Sequence, residues 1–297
     1  MPDSSAAQAI TPVLVTYNSA TILPWSLPAL AICQNVVIVD NCSGDDTMAT
    51  AKQLLPQATV IQAGRNLGFG RANNLGLAQV TTPYALLLNP DAQLAPDALK
   101  ALYEAACRYP EAAVLAPVLY DAPGVVGDFF RAPYWQPACQ PAPLPEGDLC
   151  ADFVTGAAML LNLARMREVG FFDPWFFLYC EDDDLCLRVR QAGHPIIVVA
   201  AAHMEHKTRQ SSRPSARTTW RRTYAMTLSK FYITRKYFGG SRWVVMALRI
   251  GIGSLVTALV ALITARKERL VWSLARVAAA VRAPAHLHRA HCFEPAD

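Results

Sequence analysis

The chain has 297 residues, of which 53% are hydrophobic and 17% are charged, and this balance excludes an intrinsically disordered protein. The length allows one large domain, or one domain with an extension. The net charge of +4 conceals an asymmetry: residues 1–215 carry 13 Lys and Arg against 20 Asp and Glu, a net −7, whereas residues 216–297 carry 14 against 3, a net +11. The basic end predicts an anionic partner, either a membrane surface or nucleic acid.

The cysteines and the first residues of the chain bear on the compartment. The eight cysteines are scattered and include no CxxC pair, which favours a reducing compartment over a secreted, disulfide-stapled protein. The opening stretch MPDSSAAQAI has neither a basic segment nor an apolar one, so we expect no signal peptide. Both features predict a chain that works inside the cell.

Short apolar runs alternate with helix-like segments along the first half of the chain. The predicted strands are TPVLVT (11–16), NVVIVD (35–40), ATVIQA (58–63) and YALLLN (84–89). The predicted helices lie at about 45–55, 68–79 and 96–108. Continuous apolar runs are typical of strands that are covered on both faces. The β-α-β-α order therefore predicts an α/β fold, with a mostly parallel sheet and helices on both faces.

The middle of the chain loses this pattern and then recovers it. Residues 121–150 contain six prolines and three glycines, which predicts a long irregular loop of the kind that often forms a lid. Regular structure resumes with VTGAAMLLN (154–162). A helix is predicted over 181–192, with Gly193 as its C-cap, and the strand PIIVVA follows at 195–200.

The basic end of the chain carries a long apolar run, WVVMALRIGIGSLVTALVALITA (243–265), which only Arg249 interrupts. Its uncharged part, 250–265, is shorter than the ~20 residues of a spanning helix, and Arg266 and Lys267 end it. We predict a helix that lies in, or dips into, a membrane interface, with basic flanks for anionic lipid. A spanning helix and a buried helix of a soluble extension are the alternatives.

Polar motifs follow the first two predicted strands. TYN (16–18) ends the first strand and VDNCSGDDT (39–47) includes the end of the second. In open α/β sheets, ligands bind outside the carboxyl ends of the strands. Asp40 at this edge can accept hydrogen bonds from a base or a ribose. The alternative is that the motif is only a turn followed by a helix cap.

The segments after the third and fourth predicted strands offer groups for a charged ligand. GRNLGFGRANNLGL (64–77) combines glycines with arginines and asparagines, which suits a diphosphate or a sugar, although it is neither a GxGxxG fingerprint nor a P-loop. LLLNPDA (86–92) places Asp91 one step past a buried strand. A carboxylate there can hold Mg²⁺ or Mn²⁺ together with phosphate oxygens and water, unless Asn-Pro-Asp is merely a turn.

Four acids, Glu181 to Asp184, stand between the apolar runs of FFDPWFFLYCEDDDLCLRVR (171–190). Acids at a helix start are favourable without any function, and we interpret Asp183 and Asp184 in this way. Glu181 and Asp182 lie where the aromatic run meets the helix. We predict that the aromatic run forms a wall that excludes water and accepts a sugar ring.

Six motifs in order resemble the family-2 glycosyltransferases, over about residues 10–215: VTYN, VDNCSGDDT, GRNLGFGRANN, LLLNPDA, TGAAMLL and FFDPWFFLYCEDDDLCLRVRQAG. The similarity is greatest to the rhamnosyltransferase-like branch, in which NPD replaces the DxD motif. The resemblance implies a GT-A type, Rossmann-like domain over 1–215. Residues 216–297 would then be a basic, apolar helical extension that associates with a membrane.

The resemblance also implies roles for individual residues. Asp182 would be the catalytic base, and Asp91 with His206, rather than His203, would hold a divalent cation, Mg²⁺ or Mn²⁺. Glu181, Trp175 and Gly156 would lie on the acceptor side. The implied contacts to the nucleotide sugar come from Thr16, Tyr17, Asn18, Asp40, Asn41, Asn66, Gly68, Arg71, Asn89 and Asp91.

The implied reaction is the inverting transfer of a sugar from a nucleoside diphosphate to an acceptor hydroxyl of a lipid-linked or cell-surface glycan, at the cytoplasmic face of the inner membrane. The attachment would be peripheral or monotopic. The expected donor is a deoxysugar such as rhamnose, carried by deoxythymidine diphosphate (dTDP). One alternative is a non-catalytic module of the same fold that binds a nucleotide sugar or a glycan. Nucleic-acid binding by the basic end is disfavoured, because its aromatic residues fall at helical spacing, as packing residues do.

Overall fold

The computed structural model describes residues 4–122, 125–127, 130, 145–207 and 215–288. These residues form two compact units. The sheet unit comprises the described residues of Met1–Leu67, Arg71–Phe172 and Asp182–Ser212, and the helical unit comprises those of Gly68–Gly70, Asp173–Glu181 and Arg213–Asp297. Most of the loop that the sequence predicts at 121–150 lies outside the described residues.

The first four strands of the sheet unit are parallel, as the sequence predicts. They are β1 (Ile10–Thr16), β2 (Val37–Asp40), β3 (Thr59–Gln62) and β4 (Tyr84–Leu88). They lie in the order β3-β2-β1-β4, and the register pairs Thr16 with Asp40 and Leu14 with Leu88. Strand β2 is wholly buried, and β1 and β4 are almost wholly buried, which accounts for their continuous apolar sequence.

The rest of the sheet is mixed in direction. Its strands are β5 (Ala92–Leu94), β6 (Val114–Ala122), β7 (Val125–Val126), β8 (Leu149–Cys150), β9 (Ala158–Asn162) and β10 (Ile196–His206). The order continues as β4-β9-β6-β10-β5, in which β6 and β10 are parallel while β9 and β5 run antiparallel to their neighbours. The sequence analysis missed β6 and these antiparallel pairs, because an apolar run indicates burial but not strand direction.

Helices alternate with the strands of this unit. They are α1 (Ser4–Ala9), α2 (Leu23–Ser26), α3 (Thr47–Leu54), α4 (Phe69–Leu77), α5 (Ala98–Arg108), α6 (Leu163–Val169) and α7 (Glu181–Gln191). α5 packs on β6 and β10 through an apolar face that includes Leu99 and Leu102. α7 is followed by Gly193 with φ +83°, in agreement with the predicted C-cap.

The helical unit is built mainly from α8 (Ala216–Phe238), α9 (Gly240–Ile263) and α10 (Lys267–Leu287). α10 packs on both α8 and α9, and its buried residues are mostly small, with alanines at 275, 279 and 283. An Arg235 guanidinium nitrogen donates a hydrogen bond to the Leu287 carbonyl oxygen, which satisfies the end of α10. Within the described residues, α9 is long and apolar enough to cross a bilayer.

Candidate active site

Thr16 and Asp40 end β1 and β2 at the carboxyl edge of the parallel strands, and both are buried. The Thr16 hydroxyl lies 3.5 Å from Asp40 Oδ1 and 3.4 Å from the Val39 carbonyl oxygen. The Ser43 N–H donates to Asp40 Oδ2 over 3.1 Å. Asp40 therefore does form the turn after β2, and its carboxylate lies at the edge of the sheet where ligands of such folds bind.

Asn18 joins the loops after β1 and β2. Its N–H donates to Ser43 Oγ over 2.9 Å and its Oδ1 accepts from the Gly44 N–H over 2.8 Å. Its φ of +52° lies in a region that asparagine tolerates better than most residues. The neighbouring Tyr17 side chain is 37% exposed. Asn18 thus fixes the two loops to each other, and Tyr17 presents the accessible ring.

Asn41 and Asn66 contact each other. The Asn41 amide nitrogen donates to Asn66 Oδ1 over 3.1 Å, and Asn41 Oδ1 accepts from the Leu67 N–H over 2.7 Å. The buried Asn41 therefore ties the loop after β3 to the end of β2. Arg71 follows in the first turn of α4 and is half-buried.

Gly68, in the helical unit, makes a close approach to the chain's own backbone. Its φ is +81°, and a Cβ there would lie only 2.0 Å from the Phe177 carbonyl oxygen. The same carbonyl accepts from the Phe69 N–H over 3.0 Å. Only glycine fits this position, and its partner is the segment that precedes Asp182 in the chain.

Asp91 and His206 meet because of strand pairing. β5 runs antiparallel to β10, with Ala92 opposite His206, so Asp91 comes beside the end of β10. His206 Nε2 lies 3.3 Å from Asp91 Oδ1, and both side chains are largely buried. His203 is exposed, and its Nε2 lies 3.0 Å from the Ala200 carbonyl oxygen. The structure thus brings His206, and not His203, to Asp91.

The pair of Asp91 and His206 offers one carboxylate and one imidazole to a cation. The parts of the chain that the structure describes gather no cluster of three or more His, Cys, Asp and Glu. A closed all-protein cage is therefore not built here. Mg²⁺ and Mn²⁺ sites that include substrate phosphates need only one or two protein ligands, with water completing the shell, so this donor set fits such an ion. Asn89 lies in the preceding turn, where its N–H donates to the Ala157 carbonyl oxygen over 3.0 Å.

Asp182 is the second residue of α7, and backbone N–H groups orient its carboxylate. Gly156 donates to Oδ2 over 3.1 Å and Asp183 donates to Oδ1 over 3.0 Å. Gly156 therefore acts on Asp182, a link that the sequence analysis did not predict.

The remaining acids of the run are not solvated, contrary to the simplest interpretation of a helix start. Asp183 and Asp184 are buried. Asp184 Oδ2 accepts from Arg188 Nε over 2.8 Å, and the Arg188 guanidinium also donates to three carbonyl oxygens, those of Val169, Gly170 and Phe171. Arg188 is thus a structural residue that the sequence analysis missed, although its i,i+4 spacing from Asp184 was readable.

The cysteines of the described residues are free thiols. Cys186 is buried one turn after Asp182, and burial raises the pKa of its thiol well above the ordinary value. Burial likewise raises the pKa of Cys33 to about 11. Neither thiol is a thiolate at neutral pH, so neither offers a covalent nucleophile.

Two residues predicted on the acceptor side, Trp175 and Glu181, belong to the helical unit and are buried. The Trp175 ring stacks on Tyr232 with 3.7 Å between the ring centroids and 6° between the planes. Asp173 accepts hydrogen bonds from Lys236, the Trp175 N–H and Tyr232. Burial alone would raise the pKa of Asp173, but these bonds outweigh it and hold the pKa below the ordinary value.

Comparison with known proteins identifies the class of enzyme. The model of glycosyl transferase family 2 matches residues 13–158. An N-acetylglucosaminyl-diphospho-decaprenol L-rhamnosyltransferase of Mycobacterium tuberculosis is 28% identical over 69% of this chain and 78% of its own length. The rhamnosyltransferase WbbL of Escherichia coli is 30% identical over 51% of this chain and 65% of its own length. The chain is therefore a glycosyltransferase with rhamnosyltransferase-like sequence.

The fold is that of the GT-A glycosyltransferases, as the resemblance implied. A mannosyltransferase from Pyrobaculum calidifontis, solved with GDP-Man and Mn²⁺, matches with a TM-score of 0.59 at 15% identity, over 96% of this chain and 89% of the other. The structural match covers nearly the whole chain, so it extends past the residues that the family model matches.

Proposed function

We propose that this glycosyltransferase is inverting and metal-dependent, and that it moves a sugar from a nucleoside-diphosphate donor to an acceptor hydroxyl. The observation that carries the proposal is that two carboxylates of the sheet unit have different partners. Asp91 lies beside an imidazole, as a metal ligand would, whereas backbone N–H groups orient Asp182. A single displacement needs one base and one site for the leaving diphosphate.

In the proposed reaction, Asp182 accepts the proton of the acceptor hydroxyl. The acceptor oxygen then bonds to the anomeric carbon while the bond from that carbon to the phosphate oxygen breaks, and the nucleoside diphosphate leaves with the electron pair. Attack opposite the leaving group inverts the anomeric centre. A divalent cation bound by Asp91 and His206 would supply charge neutralisation for the diphosphate without a proton.

The nucleoside would lie at the edge formed by β1 and β2. Tyr17 is the exposed ring there, and Asp40 lies at the end of β2 with a carboxylate for the ribose or the base. Asn18 and Asn41 would act through the loops that they hold together, and Arg71 would contribute charge near the phosphates. Thr16 is buried against Asp40 and would fix the orientation of that carboxylate.

The relatives support a proposal for the donor sugar and the acceptor. Both relatives are named as rhamnosyltransferases, which supports rhamnose, a deoxysugar, as the sugar that is transferred. The name of the mycobacterial relative describes a polyprenyl-diphosphate-linked N-acetylglucosamine acceptor, and we propose an acceptor of this lipid-linked class. Such an acceptor is held in a membrane, so the enzyme would work at the cytoplasmic face of the inner membrane.

Substitution of Asp91 tests the metal role. Asp91→Ala is expected to weaken donor binding in the presence of Mn²⁺ by at least about tenfold, because the variant lacks the proposed carboxylate ligand. The measurement is the thermal shift that dTDP-rhamnose produces with and without Mn²⁺, since a ligand stabilises the state that it binds. Asp97→Ala is the matched control, because Asp97 is exposed and caps no N–H at the start of α5. An unchanged donor shift in Asp91→Ala would remove this residue from the metal site.

The C-terminal helices, which make up most of 216–297, support membrane attachment through an unusual distribution of side chains on α9. Its buried residues are mostly small: Trp243, Ala247, Ser254, Ala258 and Ala261. Its exposed residues are large and aliphatic: Val244, Val245, Leu248, Ile252, Leu255, Val256, Leu259, Val260, Leu262 and Ile263. A helix of a soluble protein has the opposite arrangement, with the large aliphatic side chains inside, and an exposed apolar surface of this kind marks an interaction site.

We propose that a bilayer covers the aliphatic face of α9. Arg266, Lys267 and Arg269 follow the helix directly, and basic residues at the end of an apolar helix attract anionic lipid head groups. The net charge of +11 over 216–297 favours a negatively charged membrane over a second copy of the same basic segment. The face therefore provides the apolar contact, and its flanks provide the electrostatic one.

Charges placed on this face test the attachment. The double variant Leu255→Lys/Leu259→Lys is expected to lower binding to phosphatidylglycerol-containing vesicles by about tenfold or more, because lysine is costly in the apolar part of a bilayer. Vesicle flotation measures the fraction of protein bound to the vesicles. The control is Ile32→Lys/Val125→Lys, which changes two similarly exposed aliphatic side chains outside the helical unit. Unchanged flotation with a loss of dimers would mean that a second copy, not lipid, covers the face.

A further inference from the structure

One face of α8 holds the chain segment that precedes Asp182. Three α8 residues separated by three and four positions contact Asp173–Leu178, and all of these residues belong to the helical unit. The contacts are Ser229 Oγ to the Leu178 carbonyl oxygen at 2.9 Å, Tyr232 OH to Asp173 Oδ2 at 3.1 Å and Lys236 Nζ to Asp173 Oδ2 at 2.7 Å. Because i, i+3 and i+7 lie on one helical face, a single side of α8 makes all three.

Tyr232 is the centre of these contacts. Besides the hydrogen bond to Asp173, its ring stacks on Trp175, and Phe176 meets the ring edge-on with centroids 5.1 Å apart. Trp175 and Phe176 are buried. Aromatic pairs of these geometries stabilise beyond the area that they bury. Tyr232 therefore fixes both the carboxylate and the two rings of the segment.

The same segment is held a second time by residues 68–70. The Phe177 carbonyl oxygen accepts from the Phe69 N–H, and the absence of a side chain at Gly68 lets the two backbones approach. The segment then ends in two residues with left-handed backbone, Tyr179 at φ +70° and Cys180 at φ +64°. Strained backbone of this kind persists where several surrounding contacts hold it in place. Here the contacts from α8 and from Phe69 hold the segment.

We propose that α8 positions the acceptor-binding segment 173–181, so that Ser229, Tyr232 and Lys236 determine acceptor affinity without touching the reacting atoms. This inference rests on the proposed function, which assigns proton removal to Asp182, and on the acceptor-side roles that the family resemblance implies for Trp175 and Glu181. It gives the C-terminal helices a second role besides membrane attachment. The acceptor side of the enzyme is then formed only when α8 is folded against this segment.

The test separates acceptor binding from donor binding. Tyr232→Ala is expected to raise the KM for N-acetylglucosaminyl-diphospho-decaprenol in detergent by about tenfold or more, because the stack and the hydrogen bond are both lost. The Kd for dTDP-rhamnose with Mn²⁺ should stay within about twofold, since Tyr232 is none of the residues proposed to contact the donor. Tyr232→Phe keeps the ring and should recover most of the acceptor affinity. Trp220→Ala removes an exposed aromatic from the same helix and serves as the matched control.

A second readout does not depend on activity. Amide hydrogen exchange of 175–178 is expected to accelerate in Tyr232→Ala and in Lys236→Met, but not in Trp220→Ala, because only the first two release the segment. If Tyr232→Ala does not fold, Lys236→Met and Ser229→Ala decide the matter by the same measurements. Equal effects on acceptor KM and donor Kd, or exchange rates like those of Trp220→Ala, would overturn the inference. A wild-type chain that transfers no sugar contradicts the proposed function instead, and leaves the exchange test of the α8 contacts in force.

Discussion

Replacement of Asp182 by asparagine is expected to lower the rate of sugar transfer by about 100- to 10,000-fold, the range that general bases contribute. The amide cannot accept the proton of the acceptor hydroxyl. Donor binding should persist, because the residues proposed for the nucleotide and the metal lie on other loops. The measurement is the turnover of dTDP-rhamnose with the polyprenyl-linked acceptor, paired with donor affinity from thermal shift.

The asparagine variant also changes a hydrogen-bonding pattern, and this must be separated from the loss of the base. The Asp182 carboxylate accepts one N–H on each oxygen, whereas an amide has a single acceptor oxygen, so one of these bonds is lost at a cost of about 1–3 kcal/mol. Asp152→Asn is the matched control. Asp152 is exposed, and its carboxylate pairs with Arg190, which lies on α7 as Asp182 does. Substantial turnover in Asp182→Asn, at a stability close to that of Asp152→Asn, would show that another group removes the proton.

The parallel part of the sheet could be predicted from the sequence, and the reason is physical. Strands β1 to β4 are continuous apolar runs, and the observed bounds lie within two residues of the predicted ones. Polar residues at the ends of such runs are expected at the ligand edge, and for this reason Thr16, Asp40 and Asp91 were predicted to lie there. Strand β6 is also apolar, but nothing in its sequence indicates which strands become its neighbours.

The adjacency of Asp91 and His206 depends on pairing between strands that are about 110 residues apart, so no local pattern reveals it. The spacing of the family motifs pointed to His206, and the register of β5 against β10 supplies the physical reason. The stacking of Trp175 on Tyr232 could not be predicted from the sequence either. The periodicity of the segment that contains Tyr232 indicated a packed helix face, but it did not indicate which residues pack against that face. The sequence analysis also missed the burial of Asp184. A row of acidic residues indicates exposure to solvent unless a basic partner such as Arg188 is recognised.

Replacement of Arg188 by methionine is expected to destabilise the sheet unit by about 3–5 kcal/mol, the cost of removing one member of a buried ion pair. Asp184 has no exposed surface, so water cannot replace the guanidinium. The carbonyl oxygens of Val169, Gly170 and Phe171 would lose their Arg188 donors as well. Urea unfolding measured by circular dichroism gives the change in the free energy of unfolding.

Two further variants show whether burial, rather than charge alone, causes the loss. Arg190→Met removes a guanidinium two residues away on the same helix, where the pair with Asp152 is largely exposed, and should cost no more than about 1 kcal/mol. The double variant Asp184→Leu/Arg188→Met replaces both charges by apolar groups, and such replacements of buried pairs are often neutral or stabilising. We therefore expect it to recover much of the stability that Arg188→Met loses, with the three carbonyl oxygens accounting for the remaining deficit. If Arg188→Met and Arg190→Met cost the same, the Asp184 pair does not hold α7 to the turn at 169–171.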